Sequence, residues 1–223
     1  MPLLKDTSFK AAIVDLDGTM VDTVGDFEVA LRLALADLGW PPVDRDFISR
    51  TVGKGSEYLL MQTLDRVGAP RDLYDRAWAR YQHHYIAING QFSTVYPGVV
   101  EGLQALRSRG LRLACLTNKP NAFARPLLAL KGLAGYFEHI FGGDAFARKK
   151  PDPLPLLETC KALGVAPART LMVGDSSNDV KAARGAGCPV VLVSYGYNHG
   201  EPVSGAGADA VIDRLDELPA LLP

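Results

Sequence analysis

Four short apolar runs, each bounded by turn residues, constrain the fold of this chain more than any other feature. Their length and composition predict strands that are buried on both faces, as in a parallel sheet. The runs are Ala11–Val14, Leu111–Leu116, Thr170–Val173 and Val190–Val193. Helical spacing follows two of them, in Asn121–Leu130 and in Ser177–Ala186, which stops at a glycine. Strands that alternate with helices predict an α/β fold with a doubly wound parallel sheet.

Two weaker strands, His139–Gly142 and Ala208–Ile212, are expected to extend this sheet. At 223 residues, the chain has the length of one large domain or of one domain with an insertion. Its 48% hydrophobic and 22% charged residues are typical of a globular protein with a sizeable core.

The segment between the first strand and the turn at residues 96–98 differs from the rest of the chain. Its spacing is helical, and it offers no convincing strand over roughly seventy residues. The predicted helices are Phe27–Leu38, Arg45–Thr51, Glu57–Val67 and Leu73–Tyr85. Such a block is too long for a single crossover, so we predict a helical cap domain at residues 23–95. The α/β core then comprises residues 1–22 and 96–223, with hinges near residues 22–25 and 96–98.

The charge pattern indicates which kind of molecule the protein binds. The formal net charge is −1, and the longest basic block is the triplet at residues 148–150. The positive surface expected of a nucleic-acid-binding protein is therefore missing, and a small molecule is the expected partner. Whether the protein is a monomer or a homodimer stays open.

The cysteines and the N-terminus bear on the compartment. Cys115, Cys160 and Cys188 form no Cys-x-x-Cys pair, which predicts buried free thiols in a reducing environment. The first ten residues lack the apolar stretch of a signal peptide, and no apolar run approaches membrane-spanning length. We therefore expect a cytoplasmic protein that does not enter a membrane.

Carboxylates follow the first predicted strand directly. Asp15 comes after Ala11–Val14, Asp17 is two residues further, and Gly18 lets the chain turn sharply. Ligands bind at the carboxyl ends of strands in open α/β sheets, which favours a functional site here. The alternative is that both aspartates cap a turn, because Asp is a common turn residue.

A second predicted strand, Thr170–Val173, also leads into acidic sequence, with Asp175 and Asp179. Parallel strands of one sheet would bring Asp15, Asp17 and Asp175 together. Close carboxylates raise one another's pKa unless a cation intervenes, and Mg²⁺ suits a site of few carboxylates with room for water and phosphate. The sequence therefore predicts Mg²⁺ as the cofactor.

Polar residues at two other positions complete the pattern. Thr117 and Asn118 close the strand Leu111–Leu116, and Lys150 precedes a rigid Pro-Asp-Pro segment. Each of these residues alone is more often structural or solvated than functional. Only their combination with the carboxylates favours a site.

That combination resembles the haloacid dehalogenase superfamily, whose four motifs occur here in order. They are the segment 15–19 (Asp-Leu-Asp-Gly-Thr), Thr117, Lys150 with the following proline, and the segment 174–179 (Gly-Asp-Ser-Ser-Asn-Asp). The resemblance implies a Rossmann-like core under a mobile cap. It also implies the following roles: Asp15 as nucleophile and metal ligand, Asp17 as general acid and base with its backbone carbonyl on the metal, Thr117 and Lys150 on the phosphoryl group, Asp175 on the metal, and Asp179 in support.

Asp17 discriminates within the superfamily, because members that cleave carbon–halogen bonds lack an acid at this position. A phosphatase or a phosphosugar mutase is therefore expected, acting on a small phosphorylated metabolite through an aspartyl-phosphate. Ion-pumping relatives are excluded by the motif itself and by the lack of a membrane segment. The sequence also leaves open a broad-specificity phosphatase and a non-catalytic binding protein.

Two local segments resemble bacterial phosphoglycolate phosphatases: residues 51–55 in the cap and residues 196–202 after the strand Val190–Val193. The resemblance implies that Gly53, Lys54 and Gly55 close over the substrate. The glycines would let the backbone approach a small carboxylate, and Lys54 would add positive charge. The alternative is that the glycines only end one helix and start the next.

Overall fold

The computed structural model describes residue 4 and residues 7–223. In this part of the chain the strands are β1 (Ala11–Val14), β2 (Val21–Asp22), β3 (Thr94–Val95), β4 (Arg112–Leu116), β5 (His139–Phe141), β6 (Thr170–Gly174), β7 (Val190–Val193) and β8 (Ala210–Ile212). The helices are α1 (Val24–Asp37), α2 (Arg45–Thr51), α3 (Ser56–Val67), α4 (Tyr74–Ile88), α5 (Val99–Ser108), α6 (Asn121–Leu130), α7 (Leu154–Leu163), α8 (Ser177–Ala186) and α9 (Leu218–Leu221).

The main sheet has six parallel strands in the order β5-β4-β1-β6-β7-β8. The chain starts in the middle at β1, builds outward through β4 and β5, and then returns to β6 on the other side. The strand order therefore reverses at β1, where Val14 pairs with Cys115 of β4 and with Val173 of β6. This switch point is where open α/β sheets bind ligands, and the predicted fold class is confirmed.

Helices cover both faces of the sheet. The side chains of β1 alternate between two hydrophobic clusters, with Ala12 and Val14 facing one and Ala11 and Ile13 facing the other. Helices α5, α6 and α9 supply residues to the first cluster, and α7 and α8 supply residues to the second. All four residues of β1 are fully buried, which explains why this strand is a continuous apolar run.

The helical cap has a hydrophobic cluster of its own. Helices α1 to α4 contribute its residues, among them the buried aromatic side chains Phe27, Tyr81 and Tyr85. Phe123, on α6 of the core, joins this cluster and lies 4.7 Å from Tyr85 between ring centroids. The cap and the core thus share an aromatic contact.

Two short antiparallel strands, β2 and β3, join the cap to the core, and Val21 pairs with Val95. The sequence did not predict them. Of the residues of the hinge predicted near residues 22–25, Val24 and Gly25 belong to the first turn of α1. The other boundaries of the predicted elements differ from the structure by only a few residues.

The three cysteines are buried and free, as predicted. The sulfur atoms of Cys160 and Cys188 lie 3.9 Å apart on one face of the sheet. Within the described residues, no helix combines the length and the apolarity that a membrane span needs.

Candidate active site

The turn after β1 places two carboxylates at the switch point. The amide of Gly18 donates to the carbonyl of Val21 (3.0 Å), and Gly18 adopts a φ of +79° that side-chain-bearing residues rarely take. A β-carbon at Gly18 would collide with the carboxylate of Asp175, so the tight turn also requires a glycine for space. Asp15 and Asp17 therefore sit on a rigid support and are both largely buried.

The Asp15 carboxylate faces a buried lysine. Its Oδ2 lies 3.0 Å from Lys150 Nζ, and its Oδ1 accepts a hydrogen bond from the amide of Leu16 at 2.7 Å. Burial raises the pKa of Asp15 to about 7 even though Lys150 opposes this shift. Burial thus disfavours the charged form of the Asp15 carboxylate.

Asp175 and Asp179 follow β6 and complete an acidic triad with Asp15. One oxygen from each of the three carboxylates lies within 4.8 Å of the others. Burial, and then the charges of Asp179 and Asp15, raise the pKa of Asp175 well above its usual value. Buried oxygen ligands that repel one another fit a hard divalent cation such as Mg²⁺. The side chain of Asp17 is not part of this triad.

The sequence explains why Asp179 faces the site. Ser176 and Asp179 form a capping box at the start of α8, in which the Ser176 hydroxyl and amide donate to Asp179 Oδ2 at 2.9 and 3.1 Å. The other oxygen, Oδ1, accepts from Lys150 Nζ at 2.7 Å. Asp179 therefore orients Lys150 as well as contributing to the triad.

Lys150 is held on three sides. Besides Asp15 and Asp179, its ammonium group donates to the carbonyl of Leu116 at 3.0 Å. Burial disfavours the charged lysine, but Asp15 and Asp179 outweigh it and raise the pKa of Lys150 above its usual value. Lys150 thus provides a permanent positive charge beside the carboxylate of Asp15.

Thr117 and Asn118 follow β4, and both line a cavity between the core and the cap. The Thr117 hydroxyl oxygen accepts from the amide of Lys119 at 3.2 Å, which leaves its proton available to the cavity. The Asn118 side chain donates to the carbonyls of Gly53 (2.9 Å) and Lys150 (2.8 Å) and accepts from the Lys150 amide (3.0 Å). Asn118 therefore links the cap to the core through its side chain.

The predicted cap loop reaches the site with its glycines but not with its lysine. Gly53 and Gly55 have φ angles of +108° and +95° and line the cavity. Lys54 is exposed, and its ammonium group lies 5.0 Å from the ring centroid of Tyr58. The loop also joins α2 to α3, so these glycines lie at a helix boundary as well as in the cavity wall.

Lys119 is a site residue that the sequence did not single out. It is buried, and its Nζ lies 3.0 Å from Asp17 Oδ1 and 2.6 Å from the hydroxyl oxygen of Tyr85. The only sequence signal is its place directly after Thr117-Asn118, since an isolated lysine is usually solvated. Its burial depends on Phe27 and Tyr85 in the cap, which sequence reasoning did not connect with β4.

Tyr197 is a second residue that the sequence did not single out, although it lies in the segment 196–202 that resembles bacterial phosphoglycolate phosphatases. Its hydroxyl donates to Asp22 and accepts from the amides of Thr23 (2.8 Å) and Val24 (3.3 Å), and its own amide donates to Asp175 at 2.6 Å. Tyr197 thus connects the triad to the point at which the chain enters the cap.

A small cavity of about 10 Å³ lies between the core and the cap, with room for about one water molecule. Its walls are formed by Asp15, Asp17, Phe27, Val52, Gly53, Gly55, Ser56, Leu59, Thr117, Asn118 and Lys119. Two carboxylates, a hydroxyl and an ammonium group therefore converge in a largely enclosed space. Such an arrangement suits nucleophilic attack with proton transfer on a small, anionic molecule.

Known proteins resemble this chain over most of its length. Residues 9–187 match the family described as haloacid dehalogenase-like hydrolase. The phosphoglycolate phosphatase of Thiobacillus denitrificans is 47% identical over 93% of each chain, and that of Cupriavidus necator is 47% identical over 95% of this chain and 92% of its own. The crystal structure of a protein from Haemophilus somnus, described as a predicted phosphoglycolate phosphatase, superimposes with a TM-score of 0.91 at 31% identity. That superposition covers 97% of this chain and 99% of the other.

Proposed function

The chain belongs to the haloacid dehalogenase-like hydrolases, and we propose that it hydrolyses 2-phosphoglycolate to glycolate and inorganic phosphate. One observation carries the proposal: the buried Asp15 lies 3.0 Å from Lys150 and forms the acidic triad with Asp175 and Asp179, and Asp17 lines the same cavity as Asp15. The names and high identity of the two curated relatives support this substrate.

The proposed reaction has two displacements at phosphorus. An oxygen of Asp15 attacks, the bond from phosphorus to the ester oxygen breaks, and Asp17 gives its proton to the departing glycolate oxygen. A water molecule then attacks the aspartyl-phosphate while Asp17 takes up its proton, which releases inorganic phosphate and restores Asp15. Asp17 thus serves as acid in the first step and as base in the second.

The surrounding groups stabilise the charge that moves during transfer. Lys150 stands 3.0 Å from the nucleophile, and the Thr117 hydroxyl lines the same cavity, so both can donate to phosphoryl oxygens. The carboxylates of Asp15, Asp175 and Asp179, with the carbonyl of Asp17, would hold Mg²⁺. That ion would neutralise negative charge on the phosphoryl group.

The test is a comparison of kcat/KM for phosphate release across small phosphate esters, with Mg²⁺ and with excess EDTA. We expect 2-phosphoglycolate to be preferred, EDTA to abolish turnover and Asp15→Asn to remove it while the protein stays folded. Asp17→Asn should lower the rate by about 10² to 10⁴.

Equal kcat/KM for all esters would indicate a broad-specificity phosphatase, and isomerised sugar phosphate without phosphate release would indicate a mutase. Full activity in EDTA would contradict the role of the metal.

A further inference from the structure

We propose that Lys119 recognises the carboxylate of the substrate and so selects phosphate esters of small carboxylic acids. This inference rests on the proposed function and assigns one residue to its substrate preference. Lys119 follows β4, lines the cavity and is buried, with an exposed fraction of 2%. A charged lysine is almost never buried this deeply unless a partner compensates for its lost hydration.

The ammonium group of Lys119 has capacity for one further partner. Among the described residues, Nζ donates to Asp17 Oδ1 (3.0 Å) and to the hydroxyl oxygen of Tyr85 (2.6 Å), whereas an ammonium group carries three N–H donors. The rings of Phe27 and Tyr85 lie 4.3 and 4.7 Å from Nζ and shield it from water. An anion that entered the cavity would meet a poorly hydrated cation.

The two buried lysines of the site differ in their partners. Lys150 lies beside two carboxylates, those of Asp15 and Asp179. Among the described residues, Lys119 pairs with one carboxylate, that of Asp17 at 3.0 Å. A carboxylate on the leaving group would give Lys119 a second anionic partner, and an uncharged leaving group would not.

The position of Lys119 fits this role. The leaving oxygen must approach Asp17 to receive its proton, and in 2-phosphoglycolate only one methylene carbon separates that oxygen from the carboxylate. Since Nζ is 3.0 Å from Asp17 Oδ1, a carboxylate so close to the leaving oxygen falls within its reach. The exposed Lys54, by comparison, is not among the residues that line the cavity.

The experiment compares kcat/KM for 2-phosphoglycolate and for ethyl phosphate, which lacks the carboxylate, in the wild type and in Lys119→Met. Methionine keeps most of the length of the side chain and removes its charge. Loss of a charge-assisted hydrogen bond should lower the ratio of the two kcat/KM values by about 10-fold to 10²-fold. As a matched control, Lys149→Met removes a lysine that pairs with Glu57 at 2.7 Å outside the cavity, and it should leave the ratio unchanged.

Equal losses on both esters would overturn the proposal, because Lys119 would then act only by orienting Asp17. A ratio that falls in Lys54→Met and not in Lys119→Met would also overturn it. If Lys119→Met does not fold, the same ratio measured in Tyr85→Phe tests the proposal. It removes the hydroxyl that orients the ammonium group and should lower the ratio about threefold or more, whereas an unchanged ratio would contradict the proposal.

The wild type alone separates this inference from the proposed function. If the wild type shows no preference for 2-phosphoglycolate over ethyl phosphate, the proposed substrate is wrong. If that preference exists and survives in Lys119→Met, only the assignment of Lys119 is wrong.

Discussion

Burial of the Asp15 carboxylate costs free energy. Its carboxylate leaves water to lie against Lys150, and the balance still raises its pKa to about 7 from an ordinary value of 3.8. The native protein therefore keeps a proton between about pH 4 and pH 7 that the unfolded chain has already lost. Because the folded state binds more protons in this range, Asp15 makes the metal-free protein less stable as the pH rises through it.

A bound cation should reverse this trend, which gives a prediction about pH. Mg²⁺ binds deprotonated carboxylates, so its apparent affinity should rise by up to about tenfold per pH unit until about pH 7. We expect Mg²⁺ to raise the melting temperature of the EDTA-treated protein more at pH 8 than at pH 5.5. Thermal melts with and without Mg²⁺ at both pH values would measure this, and Asp15→Asn should weaken the pH dependence. An Mg²⁺ effect of equal size at both pH values would contradict the linkage.

Lys119 is a site residue that could not be predicted from the sequence. Asp15, Asp17 and Asp175 could be predicted because each follows an apolar run that is a strand in its own right. Lys119 also follows a strand, but its burial depends on an aromatic wall supplied by α1 and α4. That wall exists only after the cap has packed against the core, so local sequence carries no sign of it.

Among the elements, the loop between α2 and α3 brings the cap into contact with core residues at the site. The carbonyl of Gly53 accepts from Asn118 of the core at 2.9 Å, and a β-carbon at Gly53 would lie 3.3 Å from the His199 ring. A β-carbon at Gly55 would lie 3.3 Å from the carbonyl oxygen of Asn118. The loop therefore closes on the core through backbone atoms, at φ angles that only glycine takes without strain.

We predict that Gly53→Val or Gly55→Val lowers kcat/KM for 2-phosphoglycolate by about tenfold or more, because the loop would be strained and unable to approach as closely. Hydrolysis of an aryl phosphate, which has no carboxylate to place, should fall much less. Gly68→Val is a matched control, since Gly68 also has a positive φ (+76°) at the end of α3 but has open space around it. Equal losses on both esters would mean that the loop serves only the structure of the cap.

The elements differ in how well their sequences predicted them. Strands β1 and β7 and helices α2, α6 and α8 have the predicted bounds, because apolar runs and helical spacing are local signals. Strands β2 and β3 have two residues each and exist only because Val21 pairs with Val95 across the whole cap. A pairing between segments so far apart leaves no local pattern, so it could not be predicted.

For the molecule as a whole, we propose from the small cavity that the cap moves during turnover. A space of about 10 Å³ holds about one water molecule, so a phosphate ester would enter while the cap is displaced. Contacts such as the ion pair between Glu57 of α3 and Lys149 of the core, at 2.7 Å, would then form and break in each cycle. We propose that residues 23–95 move as the cap and that the remainder forms the core.

Fixing the cap in place should therefore stop the enzyme. In a Glu57→Cys/Lys149→Cys double variant, a short bis-methanethiosulfonate reagent would link the cap to the core. The native cysteines are buried and should react little with the reagent. We expect crosslinking to lower phosphate release by at least about tenfold and reduction to restore it. The two single variants, treated in the same way, are the controls, and full activity of the crosslinked protein would contradict a moving cap.

The pairing of β2 with β3 has a consequence for how such proteins diversify. Because the chain leaves and re-enters the core through adjacent strands, the whole cap is inserted at a single place, and none of the six strands of the main sheet is interrupted. A recombination event that exchanged the segment between β2 and β3 would replace the cap's share of the cavity walls and keep Asp15, Asp17, the acidic triad and Lys119. The part of the substrate preference that depends on the cap can thus be inherited separately from the chemistry.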